Sequence, residues 1–319
     1  MKTLLIVGGG GFIGGFIARQ GAELGYEVWV TVRASTSLRY LVDERLHIIT
    51  VDYDDEEAMK NIFSQRKPSA SGWDYVVYNL GATKAMDFPE FNHVNFQYLR
   101  NVVTALKHAE CNPRLLLFMS SLSATIGGTR YGLSKLKAEQ WLELQSGMPW
   151  VIFRPTGVYG PHEKDYLMMI KSIDRHVDFG VGFRRQFLTF IYVEDLVDAI
   201  YKALDHRDNV VYKKYVISEK LSYTQKQFRK IVKQALGRKW VIPIKLPLWL
   251  TYIVSYISEK WNKWHHRTST LNRDKFKIMK HRDWRNDVSA AERDFGFDPR
   301  HSLEEGIKLT VEYYKNNKK

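Results

Sequence analysis

The apolar run Leu4–Val7 passes directly into Gly8-Gly9-Gly10-Gly11-Phe12-Ile13-Gly14, and this junction constrains the fold more than any other feature of the chain. Glycines at positions 8, 11 and 14 suit a strand-to-helix turn whose backbone must approach a pyrophosphate closely. The first turn of the following helix supplies N–H groups that have no intrahelical partner, so the turn is a ready anion cradle. A tight turn in an α/β protein that binds no nucleotide could use the same glycines. Placement directly behind the first strand favours the nucleotide, which makes Gly8, Gly11, Phe12, Ile13 and Gly14 candidate cofactor-binding residues.

Short β-rich runs and amphipathic segments alternate from there to residue 154. Strands are expected at Lys2–Val7, Glu27–Val32, Leu46–Val51, Tyr75–Asn79, Arg114–Met119 and Trp150–Phe153. Helices are expected at Phe12–Leu24, Glu56–Gln65, Phe91–Ala109 and Tyr131–Gln145. This alternation predicts an α/β fold, a Rossmann-like doubly wound parallel sheet covered on both faces.

The second strand ends in Arg33, followed by Ala34-Ser35-Thr36-Ser37. An acidic residue at that place would receive the ribose hydroxyls of NAD, whereas an arginine pairs with a 2′-phosphate, assisted here by Ser35 and Arg39. The expected cofactor is therefore NADP, with NAD as the alternative. After the third strand, Asp52 and Tyr53 stand where a side chain reaches the adenine edge.

Tyr131 and Lys135 are four apart on an expected helix and so share one face, just downstream of a strand that ends in Ser120-Ser121. A tyrosine, a lysine and a serine brought together make a proton-donating site for a carbonyl. The lysine charge favours the phenolate, and the serine hydroxyl binds the carbonyl oxygen. The spacing alone also arises on exposed helix faces, so its weight comes from the surrounding sequence.

At 319 residues the chain can hold one large or two modest domains with a real core. Its single cysteine, Cys111, excludes an internal disulfide framework and a multi-cysteine metal site; it fits a reducing compartment and a packed, inert role. No metal is expected. Glycines interrupt the apolar start and no small-residue cleavage site follows, so a cytoplasmic location is expected. Of the net charge of +13, residues 1–160 carry only +1 (16 Lys+Arg against 15 Asp+Glu), so +12 belongs to the remainder. That basicity concerns the partners of the second half, where nucleic acid, an anionic membrane surface and phosphorylated substrates are all candidates.

Taken in order, "GGGGFIG", the "NLGA" segment Asn79–Ala82, Asn95, "SS" at 120–121, "YGLSK" at 131–135, "RPTGVYGP" at 154–161 and "FIYVEDLVDAI" at 190–200 resemble the extended short-chain dehydrogenase/reductase (NAD-dependent epimerase/dehydratase) family. The resemblance covers nearly the whole chain and is closest to the 3β-hydroxysteroid dehydrogenase-like branch, whose members often act on hydrophobic alcohols or ketones. It implies a dinucleotide-binding domain over 1–160, rejoined by segments around 187–218, and a smaller, mostly helical substrate domain over 161–319. It also implies Tyr131 as acid/base, Lys135 as the ligand of the nicotinamide ribose and Ser121 as the group that polarises the carbonyl. Leu80, Gly81 and Ala82 would run along the cofactor, and Pro155, Thr156 and Val158 would pack near the nicotinamide. Asn95 is expected to brace the strand–helix layer rather than to act directly. The pattern departs at one place. Only nine residues separate Ser121 from Tyr131, where the family usually has a longer segment, so the catalytic serine stays open between Ser121 and Ser123 and a more open site is expected.

In the second half, Arg184 and Arg185 are candidate substrate-binding residues for an anionic group such as a nucleotide-sugar diphosphate. The segment Pro247–Trp264 reads as a helix on which Thr251, Ser255, Ser258 and Asn262 form a narrow polar stripe in an otherwise apolar surface. Lys260, Lys263, Arg267, Arg273, Lys275, Lys277, Lys280, Arg282 and Arg285 follow or interleave. Aromatic residues with basic ones beyond them suit a helix lying in a membrane interface, at the inner face of a membrane; cover over the substrate pocket or a homodimer contact are the alternatives. No nucleic-acid-reading motif is present, and nucleic acid is not expected. The leading expectation is an NADP-dependent oxidoreductase acting on a secondary alcohol or ketone. A nucleotide-sugar epimerase or dehydratase with retained NAD, and a non-catalytic NADP-binding sensor or assembly factor, are its rivals.

Overall fold

The structure, a computed structural model, describes residues 1–265 and 271–318, so Arg267, and with it the side chain of Lys263, lies outside the described residues. The chain forms two compact units, the first comprising 1–154, 197–215 and 290–297, and the second the remaining segments. The first unit thus ends at Arg154, six residues before the expected boundary, and recruits a further short segment near the C-terminus.

The first unit is built on a seven-stranded sheet in the order Lys213–Ile217, Trp150–Pro155, Leu115–Met119, Tyr75–Tyr78, Thr3–Val7, Glu27–Val32, His47–Thr50. Five successive pairs, from Trp150–Pro155 across to His47–Thr50, run parallel. Strands buried on both faces read as continuous apolar runs, as in Leu4–Val7 and Leu115–Met119, all 4 % exposed or less. Helix Glu56–Arg66 and helix Tyr98–His108 cover one face through Met59, Phe63, Leu99, Val102, Val103 and Leu106. Cys111 is buried in that same layer against Gly72, and burial pushes its thiol pKa up, which fits an inert role. The chain winds outward from Thr3–Val7 in one direction and then returns to place Tyr75–Tyr78 on its other side. The carboxyl ends of these two neighbours therefore flank the topological switch point, the crevice where open α/β sheets bind ligands.

The expected helix Phe91–Ala109 is more irregular than its periodicity indicates. It comprises Phe88–Asn92, a π-helical turn His93–Gln97 and Tyr98–His108. Asn95 sits in the π turn, fully buried.

The second unit contains three two-stranded pairs. Gly157–Tyr159 runs parallel to Phe190–Tyr192, Val177–Val181 parallel to Ile242–Leu246, and Phe187–Leu188 antiparallel to Tyr223–Thr224. Helices Lys164–Asp174, Gln225–Ala235 and Leu303–Asn316 enclose an aromatic core around Phe190, Tyr159, Tyr223 and Phe228. Helices Leu248–Trp264 and Arg273–Lys280 complete it. Among the described residues, no helix is long and apolar enough to cross a membrane.

Candidate active site

The glycine turn lies at the switch point, and each glycine there answers to a specific approach. Gly8 has φ +80°, and a Cβ on it would stand 2.7 Å from the Leu80 backbone; one on Gly14 would stand 2.5 Å from Gly9. Gly11 caps helix Phe12–Glu23 without a side-chain hydrogen bond, and a Cβ there would meet nothing within 4 Å. Phe12, Ile13 and Gly14 thus open a helix whose first N–H groups have no intrahelical partner and no competing acid in the turn. This cradle fits the pyrophosphate of a dinucleotide.

The loop after the second strand closes on this turn. A Cβ on Gly10 would overlap the Thr36 methyl at 2.2 Å. Thr36 accepts a hydrogen bond from the Arg33 N–H at 3.1 Å and donates its own N–H to the Arg33 carbonyl at 2.9 Å. Arg33 and Ser35 are exposed, and the Arg33 backbone is anchored through Thr36, which itself packs against Gly10. Arg39 lies over the Tyr40 ring at 4.4 Å.

Asp52 is exposed, whereas Tyr53 is turned inward, 1 % exposed, with its hydroxyl 2.9 Å from Thr31 Oγ1. Burial drives the Tyr53 pKa up to about 12, opposed by hydrogen bonds from Thr31 and from the Gly8 N–H. The ring of Tyr53 therefore braces the glycine turn from beneath.

Ser121, Tyr131 and Lys135 are brought together. Strand Leu115–Met119 delivers Ser120 and Ser121; helix Arg130–Gln145, capped by Thr129 accepting from the Gly132 N–H at 2.9 Å, delivers the other two. The Tyr131 phenol is hydrogen-bonded to the Ser121 side chain, and its ring stands 6.1 Å from that of Phe91. Burial raises the Tyr131 pKa and the Ser121 contact opposes the rise. Lys135 is 3 % exposed, donates from Nζ to the Met119 carbonyl at 2.9 Å, and has its pKa lowered to about 8 by burial, opposed by Glu139. The Ser121 side chain bonds the phenol, while the Lys135 ammonium donates to the Met119 carbonyl and stands against Gly81.

Ser123 begins the short helix Ser123–Ile126 and donates its N–H to Ser121 Oγ at 3.2 Å. Gly127 and Gly128, at φ +69° and +79°, then turn the chain into the Tyr131 helix. The nine-residue connection is thus a compact helical turn closed by two left-handed glycines, which is how so short a link still spans strand to helix.

The Leu80–Ala82 loop joins the two halves of this site. Leu80 meets Gly8, while a Cβ on Gly81 would be 2.7 Å from Lys135 Nζ and 3.0 Å from Asn95 Oδ1. Asn95 accepts from the Ala82 N–H at 2.8 Å and donates to the Ala82 carbonyl at 3.1 Å and to Ser134 Oγ at 2.9 Å. Ser134 in turn donates to the Tyr131 carbonyl at 2.7 Å, so Asn95 ties the loop to the Tyr131 helix.

Two participants went unread in the sequence. Glu139, fully buried, accepts from Ser120 Oγ and from Arg154, whose Nε is 3.0 Å away. The signal was present: Glu139 follows Lys135 by four, on the same helix face.

The remaining candidates belong to the second unit. The Thr156 N–H donates to the Ile217 carbonyl at 3.1 Å, Val158 pairs with Ile191, and Pro155 immediately precedes Thr156. Arg184 and Arg185 are exposed, Arg185 lying 5.7 Å over the Phe187 ring.

A parallel sheet with a glycine cradle at its switch point and a serine–tyrosine–lysine group beside it defines a dinucleotide-dependent enzyme. A model of the NAD dependent epimerase/dehydratase family matches residues 4–218, and the chain belongs to that family. It is an NAD(P)-dependent enzyme of the short-chain dehydrogenase/reductase type, with a nicotinamide dinucleotide as cofactor. Among solved structures, the UDP-glucose 4-epimerase of Thermotoga maritima with UDP-glucose is 21 % identical over 99 % of this chain and 100 % of its own, with a TM-score of 0.77. The UDP-glucuronic acid 4-epimerase of Bacillus cereus in complex with NAD is 18 % identical over 98 % and 96 %, with a TM-score of 0.75. The Thermus thermophilus UDP-glucose 4-epimerase complex with NAD is 19 % identical over 99 % of both chains, also at 0.75. At these identities the likeness is one of fold. No curated protein matches the chain.

Proposed function

We propose that this enzyme is an NADP-dependent oxidoreductase that moves hydride between the nicotinamide and a secondary alcohol or ketone of hydrophobic, lipid-like character. The observation that carries the reading is the Ser121–Tyr131 hydrogen bond beside Lys135, set at the loop that also closes on the glycine cradle. The nicotinamide, when bound, supplies hydride to the carbonyl carbon in reduction and removes it in oxidation. In reduction Tyr131 gives its phenolic proton to the carbonyl oxygen, and Ser121 donates a hydrogen bond to the same oxygen as its charge builds. Solvent then returns a proton to Tyr131. The Lys135 ammonium, fixed next to Gly81, holds the ribose hydroxyls and so orients the reacting ring. Arg33, exposed and unopposed by an acid at the end of its strand, supports the 2′-phosphate form of the cofactor.

A second reading, a nucleotide-sugar epimerase or dehydratase with retained NAD, is favoured by the exposed Arg184 and Arg185 and by the activities named for the similar structures. The intact Ser121–Tyr131 pair speaks against a purely non-catalytic role. Turnover of NADPH with long-chain or steroidal ketones separates these readings. Wild type consumes NADPH and Tyr131→Phe does not, while dinucleotide affinity is kept. Equal rates for the two proteins would remove the proposal, and purified protein that holds NAD and is stabilised by UDP-sugars would install the second reading.

A further inference from the structure

Helix Leu248–Trp264 is built inside out. At about 100° per residue, Thr251, Ser255, Ser258 and Asn262 fall in one narrow arc. That polar arc faces the protein: Thr251 is 2 % exposed and Ser255 is fully buried. The opposite arc is apolar and faces out, with Trp249 65 %, Ile253 44 %, Ile257 60 % and Trp264 73 % exposed, flanked by Tyr252, Tyr256 and Trp261. The strand Ile242–Leu246 that leads into the helix continues the theme, since Ile242 and Ile244 are exposed beside the exposed Phe179 of the paired strand. Of 25 exposed large apolar side chains among the described residues, 11 lie between Trp240 and Trp264. An apolar concentration of that kind on a water-soluble surface marks an interaction site rather than ordinary scatter.

We propose that this surface docks on an anionic lipid bilayer, lying in the interface without crossing it. Charge selects the occupant. Residues 239–264 contain one acid, Glu259, and it is taken up by Arg273 of the next helix at 3.0 Å. Lys239, Lys245, Lys260 and Lys280 are exposed among or next to the apolar groups. Buried protein interfaces are depleted in lysine, whereas tryptophan, tyrosine and lysine together are the composition of a membrane-interface belt. Each lysine near an anionic surface adds attraction, and the aromatic and aliphatic side chains enter the headgroup boundary. The helix has 17 residues, about 25 Å, shorter than the hydrocarbon core it would need to span. Ion pairing of Glu259 with Arg273 and the Tyr252–Phe276 ring contact at 5.4 Å fasten the helix to its unit, so the platform is preformed. This surface belongs to the second unit and the proton-transfer group to the first, and its test does not depend on turnover.

The experiment is flotation of the full chain with vesicles of phosphatidylcholine alone and of phosphatidylcholine mixed with phosphatidylglycerol. Binding to the mixed vesicles is expected, weakening with salt. Paired substitution of the exposed Trp249→Glu and Ile257→Glu lowers partitioning by about tenfold or more. Lys245→Glu with Lys260→Glu weakens binding to the anionic vesicles selectively. Quenching of wild-type tryptophan fluorescence by brominated lipid checks the same contact without any variant. No flotation of wild type, unchanged flotation of Trp249→Glu/Ile257→Glu, or no quenching overturns the proposal. A lipid-free dimer that the glutamate pair dissolves, with no flotation, assigns the surface to a second copy instead.

Discussion

Gly81 and Lys135 occupy a space that admits only one side chain: a Cβ on Gly81 would lie 2.7 Å from the lysine Nζ. The ammonium is already fixed by the Met119 carbonyl at 2.9 Å and by its 3 % exposure, so it has little freedom to yield. Gly81→Ala should therefore shift Lys135 rather than unfold the sheet. The expected result is a stability loss of about 1 kcal/mol with a dinucleotide Kd about tenfold weaker. Denaturant melts alongside calorimetric titration check the split. A loss confined to stability would show that the close approach is packing alone.

Lys135 also carries a pH signature. Its folded-state pKa is about 8 against an ordinary 10.5, lowered by burial. Between those values the unfolded chain binds the proton and the folded chain does not, so stability rises with pH across that window. Below about pH 8 the lysine is charged in both states and the burial penalty is fully present. Lys135→Met should remove a pH-dependent increment on the order of 3 kcal/mol between pH 8 and 10.5. Comparing the unfolding free energies of wild type and variant at both ends of the window isolates this group. Parallel curves would place the lysine in contact with water.

The structure gives Ser121 and Ser123 different partners, and kinetics can test which of them acts. Ser121 bonds the Tyr131 phenol, while Ser123 only sends its N–H to Ser121. Ser121→Ala should lower kcat about 100-fold, since it removes both an oxyanion partner and the contact that eases the tyrosine. Ser123→Ala should leave kcat within a few-fold, because its backbone donor survives. The Ser121 variant should also show its basic limb at higher pH, Ser121 being what holds the Tyr131 pKa down. The reverse ranking would transfer the role to Ser123.

What was legible before the fold was known follows from where each signal resides. Apolar strand runs and amphipathic helices are local, so six of the seven sheet strands fall within one or two residues of expectation, while Lys213–Ile217 was expected only as part of a returning segment. The π turn around Asn95 was invisible because its cause is tertiary: Asn95 must turn inward to satisfy both polar groups of Ala82. Glu139 and Arg154 were passed over for a related reason. A carboxylate four residues past a lysine reads as a surface pair, and nothing local reveals that Glu139 is fully buried against Arg154 and Ser120. Tyr53 lies directly after Asp52, yet past the end of the third strand one side chain is exposed and the other turns into the core, where its hydroxyl meets Thr31. The polar stripe on Leu248–Trp264 was legible as a stripe, but only the fold shows that it points inward.

Arg33 sets the last prediction, because the proposed preference for NADP rests on this exposed side chain at the end of a strand. Its backbone is locked by two hydrogen bonds with Thr36, so substitution alters the charge offered to the cofactor while the turn stays in place. Wild type should bind NADPH about tenfold to a hundredfold more tightly than NADH, the range expected of a charge-assisted guanidinium–phosphate contact. Arg33→Asp should invert that order, since its carboxylate repels the 2′-phosphate and accepts hydrogen bonds from the ribose hydroxyls of NAD. Arg33→Ala should bring the two affinities together without creating the new preference. Titration of all three proteins with both nucleotides checks the ordering. Equal affinity of wild type for NADH and NADPH would remove Arg33 from the cofactor site and leave Ser35 and Arg39 to be tried in its place.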